Sequence, residues 1–146
     1  MFKHILIATD GSPLASKAAK AGIALAKILG SKVTVYYALP TLLASYVDGY
    51  AFDPDTIDRI ERDARKAGQK HVDAIGKMAK KAGVPCVSLV ANAITAYEGI
   101  VDAAKKRNCD VIFMASHGRR GLSKLMMGSV TQKVLAQSKL PVVVYR

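Results

Sequence analysis

Short apolar runs alternate with longer amphipathic segments along the whole chain. The apolar runs are rich in β-branched residues and predict strands buried on both faces, at 2–9, 32–39, 85–91, 111–115 and 140–145. Apolar residues recur at helical spacing in the segments between them, at 13–29, 56–82, 95–107 and 129–138. This strand–helix alternation predicts an α/β fold, a doubly wound parallel sheet of five strands with right-handed crossovers and helices on both faces.

Residues that commonly begin and end helices flank these segments. Ser12 is a good N-cap for the first helix, and Asp55 or Thr56 is expected to cap the second. Gly30 and Gly83 are expected to end the same two helices. The helical spacing predicts inward-facing residues in three helices: Ala15, Ala18, Ala19, Gly22, Ile23, Ala26 and Leu29; Ile57, Ile60, Ala64, Ala67, His71, Ile75, Met78 and Ala82; and Ile100, Ala103 and Ala104.

The length and composition favour one globular domain over residues 1–146. Of these 146 residues, 51% are hydrophobic, which suits a folded core and not a disordered chain. No apolar run approaches the roughly 20 residues of a membrane helix, and the N-terminus predicts a strand and not a signal peptide. Cys86 and Cys109 stand at the starts of apolar runs without CxxC spacing, which favours buried structural thiols in a reducing compartment. A cytoplasmic protein without membrane contact is therefore expected.

The chain is strongly basic, with a formal net charge of +11. This charge favours anionic ligands or partners, and nucleic acid is the obvious alternative to a small anion. The lysines and arginines are spread over several helical segments and do not form one run, a distribution typical of solvated helix faces. A role in binding nucleic acid is therefore not expected.

The stretch 114–130, MASHGRRGLSKLMMGSV, carries the clearest chemical signal. It predicts a strand, a glycine-containing loop and a helix N-terminus in that order, an arrangement that binds anions because the first helical N–H groups are unpaired. Gly118 and Gly128 are expected to permit positive φ and close backbone approach. The hydroxyl and amide of Ser129 are candidates for holding a phosphate. Further phosphate contacts are expected from the loop cations Arg119, Arg120 and Lys124.

Asp10 is the second candidate site residue. It follows the first apolar run directly, and ligands of doubly wound sheets bind outside the carboxyl ends of the strands, where the strand order reverses. If the first and fourth strands are neighbours, Asp10 and the 115–129 loop meet across one crevice. There the carboxylate is suited to accept hydroxyl hydrogen bonds or to bind a metal through water. A turn or helix-capping aspartate is the alternative interpretation.

Two further features have competing interpretations. His71 lies among apolar neighbours of the long helix, where a half-buried packing residue is more common than a ligand. The segment 41–55 has no clear period and contains Tyr46, Tyr50 and Phe52. It is expected to be a crossover loop packed against the domain, with a flap near a ligand as the alternative.

The loop motif resembles that of a known family. The chain is similar over its full length to the UspA-like universal stress proteins, in the segments ILIATDGS, ASHGRRGLSKLMMGSV and LPVVVYR. Nucleotide-binding members carry G-x2-G-x9-G-[ST], which aligns here with Ala115, Gly118, Gly128 and Ser129. Ala115 stands where the pattern has its first glycine, and its methyl group makes close backbone approach less easy without excluding it. The motif is neither a P-loop nor a GxGxxG fingerprint.

The resemblance implies a stress-responsive protein that binds ATP or AMP, with sheet order 3-2-1-4-5. It implies Mg²⁺ accompanying the nucleotide, no metal site of the chain's own, and a homodimer through the last strand, 140–145. That apolar edge also calls for a partner on physical grounds. The residues implied to border the nucleoside, the adenine, the ribose and the phosphates are Ala8, Thr9, Asp10, Ala38, Met114, Ala115, Ser116, His117, Gly118, Arg119, Gly128, Ser129, Val130 and Thr131.

Three functions compete on the sequence. A nucleotide-binding regulatory module without dedicated catalysis is favoured, because no Ser-His-Asp set can be assigned and the loop contains no carboxylate to activate water. A slow ATPase or nucleotidyl-transfer domain of the same fold is the second hypothesis, with His117 as its acid–base candidate. The third is an interaction protein whose basic surface binds nucleic acid or an acidic partner, without any nucleotide ligand.

Overall fold

A computed structural model describes residues 1–41, 53–119 and 127–146. Within these ranges five strands alternate with four helices. The elements in chain order are β1 (His4–Ala8), α1 (Pro13–Leu29), β2 (Lys32–Pro40), α2 (Pro54–Ala82), β3 (Cys86–Ala93), α3 (Ala96–Lys106), β4 (Val111–Ala115), α4 (Ser129–Gln137) and β5 (Val142–Tyr145).

The strands form one parallel sheet in the order β3-β2-β1-β4-β5, which confirms the predicted fold. The central strand β1 is buried along its whole length, and Ile5, Leu6 and Ile7 have no exposed surface. Because β1 lies between β2 and β4, the strand order reverses beside it. The crevice at the carboxyl ends of β1 and β4 is therefore the switch point at which this fold class binds ligands.

Helices cover both faces of the sheet. Small residues of α1 and the inner residues of α2 pack with Ile5, Ile7 and Phe113 in one core cluster. Helices α3 and α4 pack with Leu6 and Ile112 in the other. Neighbouring strand residues point to opposite faces, so the continuous apolar run of β1 supplies both clusters.

The helix ends explain most of the observed boundaries. Ser12 caps α1 as predicted, since its hydroxyl accepts a hydrogen bond from the Ala15 N–H. The predicted cap of α2 is wrong. Asp53 caps it, and its carboxylate accepts from the Thr56 N–H at 3.0 Å, with Pro54 as the first helical residue. Gly30 and Gly83 end α1 and α2 as predicted, both with positive φ.

The inward faces of the helices are partly corrected. The fully buried line of α2 is Gly68, Val72, Ile75 and Ala79, so Ile60 and Ala67 were wrongly assigned to it and are exposed. Leu29 at the end of α1 is 40% exposed, because the helix ends there beyond the edge of the core. The inward residues predicted for α3 are confirmed.

The two cysteines differ in their surroundings. Cys109 is buried, and burial first, then the Asp110 carboxylate, raises the pKa of its thiol to about 11. Cys86, which was expected to be buried, is only half-buried at the edge strand β3, and desolvation also raises its pKa. Since the thiolate is the reactive form, both thiols are suppressed as nucleophiles at neutral pH.

Two sequence predictions fall largely outside the described ranges. Of the predicted loop 41–55, residues 42–52 are not described, and Pro54 and Asp55 belong to α2. The loop cations Arg120 and Lys124 also lie outside the described residues. In the parts of the chain that are described, no helix is both long and apolar enough to cross a membrane.

Candidate functional site

The Asp10 carboxylate joins two loops at the switch point. Its Oδ1 accepts a hydrogen bond from the Ser12 N–H at 2.9 Å, and its Oδ2 accepts one from the Arg119 N–H at 2.8 Å. Asp10 therefore ties the start of α1 to the loop after β4, across the crevice in which the sequence predicted that they meet. A carboxylate oxygen has two lone pairs, so each can also accept a hydrogen bond from a ligand hydroxyl.

Gly118 is needed for this contact. A Cβ atom at position 118 would overlap the Asp10 carboxylate, so any side chain there would push the loop away from β1. Positive φ was also expected at Gly118 and Gly128, and this expectation is wrong, because the glycines with positive φ in the described ranges are Gly11, Gly30 and Gly83. The loop glycines therefore serve close approach and not an unusual backbone conformation.

Gly128 lies where the loop returns to the sheet. Its N–H donates to the Ser116 carbonyl at 2.8 Å, and an added Cβ would come within 3.1 Å of the His117 Cα. The two ends of the loop are thus in direct backbone contact. A larger residue at 128 would separate them.

Helix α4 begins at this closure with an open N-terminus. Its N-cap residue is Gly128, and no side chain among the described residues caps the helix. Ser129 and Val130 are exposed in the first turn, while the buried Thr131 hydroxyl donates to the Ala115 carbonyl at 3.0 Å. The first-turn N–H groups and the helix dipole give this end a positive partial charge suited to an anion.

Ser116 and His117 lie between the end of β4 and the contact that closes the loop at Gly128. Ser116 is buried, and its N–H donates to the Tyr145 carbonyl of β5 at 2.7 Å. Its Oγ lies 3.1 Å from His117 Nδ1. His117 is half-buried beside the loop closure.

The other candidate residues lie at the carboxyl ends of three strands. Ala8, Thr9, Met114 and Ala115 are buried, so any contact that they make with a ligand involves little side-chain surface. The Thr9 N–H donates to the Tyr36 carbonyl at 2.9 Å, which ties the end of β1 to β2. Ala38, near the end of β2, is half-buried.

The structure adds three residues that the sequence analysis did not place in the site. His71 of α2 is the packing residue that was expected, since its ring stacks on Tyr37 with centroids 5.8 Å apart. Its Nε2 also lies 3.2 Å from the Arg119 guanidinium. Gly11 has a φ of 78°, and a Cβ there would overlap the His71 ring. No short-range motif could reveal this cluster, because His71 and Arg119 are 48 residues apart.

Within the described ranges, no three His, Cys, Asp or Glu side chains group as metal ligands. A cavity of about 700 Å³ lies elsewhere, between β3 and α3, and Tyr36, Leu89 and Val101 are among the residues that line it. The helix N-terminus beside this cavity, that of α3, is capped by the Thr95 side chain and therefore offers fewer unpaired N–H groups to an anion.

Comparison with known proteins identifies the family. A model of the universal stress protein family matches residues 1–146. A universal stress protein of Bacillus subtilis is 32% identical over 149 residues, covering 100% of both chains. One of Methanocaldococcus jannaschii is 31% identical over 146 residues, covering 100% of this chain and 83% of its relative. The chain belongs to the universal stress protein family.

Solved structures share the fold. The protein MJ0577 superimposes with a TM-score of 0.83 and 26% identity, over 99% of this chain and 95% of that one. A universal stress protein from Archaeoglobus fulgidus, solved with dAMP, has a TM-score of 0.65 and 19% identity over 100% and 98% of the two chains. A family member from Arabidopsis thaliana, solved with AMP bound, has a TM-score of 0.68 and 13% identity over 97% and 90%.

Proposed function

We propose that this chain binds an adenine nucleotide, ATP or AMP, at the carboxyl ends of β1 and β4. One observation carries the proposal: the Asp10 carboxylate, the Gly118 backbone and the open N-terminus of α4 surround one crevice. A carboxylate suits the ribose hydroxyls, and an uncapped helix end suits the phosphates. The AMP and dAMP held by two proteins of the same family support the choice of ligand.

The proposed nucleotide extends from β2 to α4. The backbone near Ala38 contacts adenine, and Asp10, with Ala8 and Thr9, borders the nucleoside. The phosphates lie against the loop residues and the first turn of α4, namely Met114, Ala115, Ser116, His117, Gly118, Arg119, Gly128, Ser129, Val130 and Thr131. Mg²⁺ enters with ATP, and Asp10 is suited to contact it through water. The site would need no metal of its own, since the nucleotide supplies the ion.

Ala115 replaces the first glycine of the family motif at a buried position. Its carbonyl accepts from the Thr131 hydroxyl, so this residue joins the end of β4 to α4. Because Ala115 is buried, the ligand is expected to meet the backbone at the other two motif positions, Gly118 and Gly128, where no side chain hinders it.

We propose further that nucleotide occupancy is a stress-dependent signal and not a step of catalysis. On this proposal the protein turns over ATP too slowly for catalysis to be its purpose. A slow ATPase is the alternative, and it would use His117. Release of ADP by the wild type but not by His117→Ala would favour that alternative.

The binding proposal is tested with small molecules released from the purified, denatured protein. Mass spectrometry should detect an adenine nucleotide, and added Mg-ATP or AMP should raise the melting temperature. Gly128→Val should abolish this rise while the far-ultraviolet circular dichroism is retained, because the side chain separates the ends of the loop. Gly76→Ala, which adds a Cβ in α2 near the Ser88 hydroxyl, is the control and should keep the rise. If no nucleotide is released and none raises the melting temperature, the proposal fails.

The proposed assembly is a homodimer through β5. This strand is the last in the sheet order, and its four residues, Val142–Tyr145, are half-buried in the monomer. Val130 and Leu135 of α4 are 36% and 42% exposed. A free strand edge with apolar side chains is stabilised when another chain pairs with it.

A further inference from the structure

We propose that His71 is a positioning residue, which holds the Arg119 guanidinium at the phosphate end of the site. The inference rests on the proposed nucleotide binding, and it concerns a helix outside the glycine loop. Its geometric basis is the 3.2 Å contact between His71 Nε2 and the Arg119 guanidinium. The contact ties the middle of α2 to the first residues of the loop.

The His71 ring is fixed from two sides. Its plane is inclined by only 17° to the Tyr37 ring on which it stacks. Gly11 leaves room for it on another side, because the ring occupies the space that a Cβ at position 11 would need. A ring held by packing loses little further freedom when it makes a hydrogen bond, so it is a suitable fixed acceptor.

The Arg119 guanidinium determines which hydrogen-bonding role His71 Nε2 has. A guanidinium carries only donors, so the His71 Nε2 facing it must be the acceptor. The ring is therefore neutral in this arrangement, with its proton on Nδ1. A protonated ring would place two donors and two positive charges against each other.

Arg119 is consequently held at both ends. Its backbone N–H donates to Asp10 Oδ2 at 2.8 Å, and its guanidinium donates to His71. An exposed arginine without such partners samples many rotamers and must be ordered when it binds a phosphate. The His71 contact supplies that ordering in advance, so it should strengthen the binding of phosphates without affecting the nucleoside.

Two substitutions distinguish the contribution of the hydrogen-bond acceptor of His71 from that of its ring. His71→Phe keeps a planar ring against Tyr37 and Gly11 and removes the acceptor. His71→Gln removes the ring and keeps an acceptor four bonds from Cα, as Nε2 is. Affinities for ATP and for adenosine are measured by isothermal titration calorimetry. His71→Phe should weaken ATP binding by about tenfold and leave adenosine binding unchanged, whereas His71→Gln should retain most of the ATP affinity.

A double-mutant cycle tests whether the effect passes through Arg119. In an Arg119→Ala background, His71→Phe should cause no further loss of ATP affinity. The positioning role is overturned if His71→Phe binds ATP like the wild type, if it loses ATP and adenosine equally, or if the two substitutions are additive. A wild type that binds neither ligand overturns the proposed function, and with it the role of His71.

Discussion

At the scale of single residues, the site depends on contacts that a motif cannot specify. The sequence indicated Asp10 and Gly118 separately, from the end of an apolar run and from the spacing of a loop. The structure supplies the reason for the glycine, since a side chain at 118 would occupy the position of the Asp10 carboxylate. Position 118 is thus determined by a residue more than 100 positions earlier, in the turn that follows the neighbouring strand β1.

The buried His4 should make the free energy of unfolding depend on pH. It is only 7% exposed, its Nε2 lies 2.8 Å from the Thr34 hydroxyl, and its Nδ1 has no hydrogen-bond partner among the described residues. Desolvation first, and then the nearby Lys32, lowers its pKa below the ordinary 6.5. Below pH 6.5 the unfolded chain therefore binds a proton at this residue that the folded chain does not bind. The free energy of unfolding should fall from that pH toward the folded pKa.

Urea denaturation at a series of pH values between 5 and 8 measures this effect. His4→Leu cannot titrate at this position, so its stability should depend less on pH in this range than that of the wild type. Equal pH dependence of the two proteins would contradict the prediction.

The Asp110 carboxylate affects the stability in a separate, lower pH range, because backbone N–H groups of Lys3 and His4 hold its pKa below 3.8. Its stabilising contribution is present above that value and is lost as the pH falls through its folded pKa.

At the scale of the elements, the sequence predicted the order and type of every helix and strand described. Continuous apolar runs and helical spacing were sufficient for this prediction, because the spacing of apolar residues reflects whether an element is buried on one face or on both. The start of α2 was missed although it carries a signal. Asp53-Pro54 repeats the cap-and-proline pattern of Ser12-Pro13, but it follows a stretch without a period. The inner face of α2 was also partly misassigned. Its buried line passes through Gly68, which hydrophobicity does not reveal, and through Val72, which the predicted set of inward residues omitted.

The cap of α1 provides an element-scale prediction. Ser12 is buried, and its hydroxyl accepts from the Ala15 N–H at 3.1 Å. Ser12→Ala leaves that N–H without its acceptor, so the free energy of unfolding should fall by about 1 kcal/mol. Lys20→Ala is the control two turns later, at an exposed position of the same helix, where alanine favours the helix. Equilibrium denaturation in urea measures both, and an equal loss in the two variants would assign no specific role to the cap.

At the scale of the whole molecule, the topology gathers charges that the sequence separates. Each of the four described helices connects two parallel strands, so each ends at the edge of the sheet where the strands begin. The last turns of three helices bring Lys27, Lys80, Lys81, Lys105 and Lys106 to that edge, and Lys3 and Lys32 stand at the starts of β1 and β2. Favourable interaction with the negative helix ends accounts for this placement. The basic edge lies opposite the candidate site, because the site is at the carboxyl ends of the same parallel strands.

The outer edge of β5 leads to a prediction about the assembly of the whole molecule. The carbonyls of Pro141 and Tyr145 accept from the N–H groups of Ile112 and Ser116 in and just after β4. Since alternate residues of a strand direct their backbone groups to opposite sides, those of Val144 point to the free edge. Val144→Pro therefore removes an edge donor without removing a hydrogen bond between β4 and β5.

Sedimentation velocity should show a dimer for the wild type and a monomer for Val144→Pro. Val144→Ala, which shortens the side chain but keeps the N–H, is the control and should remain mostly dimeric. This pair distinguishes backbone pairing between two edge strands from association through side chains alone. If the alanine variant dissociates and the proline variant does not, the interface lies on side chains around β5 and α4. A monomeric wild type would show that the apolar edge of β5 has a different partner.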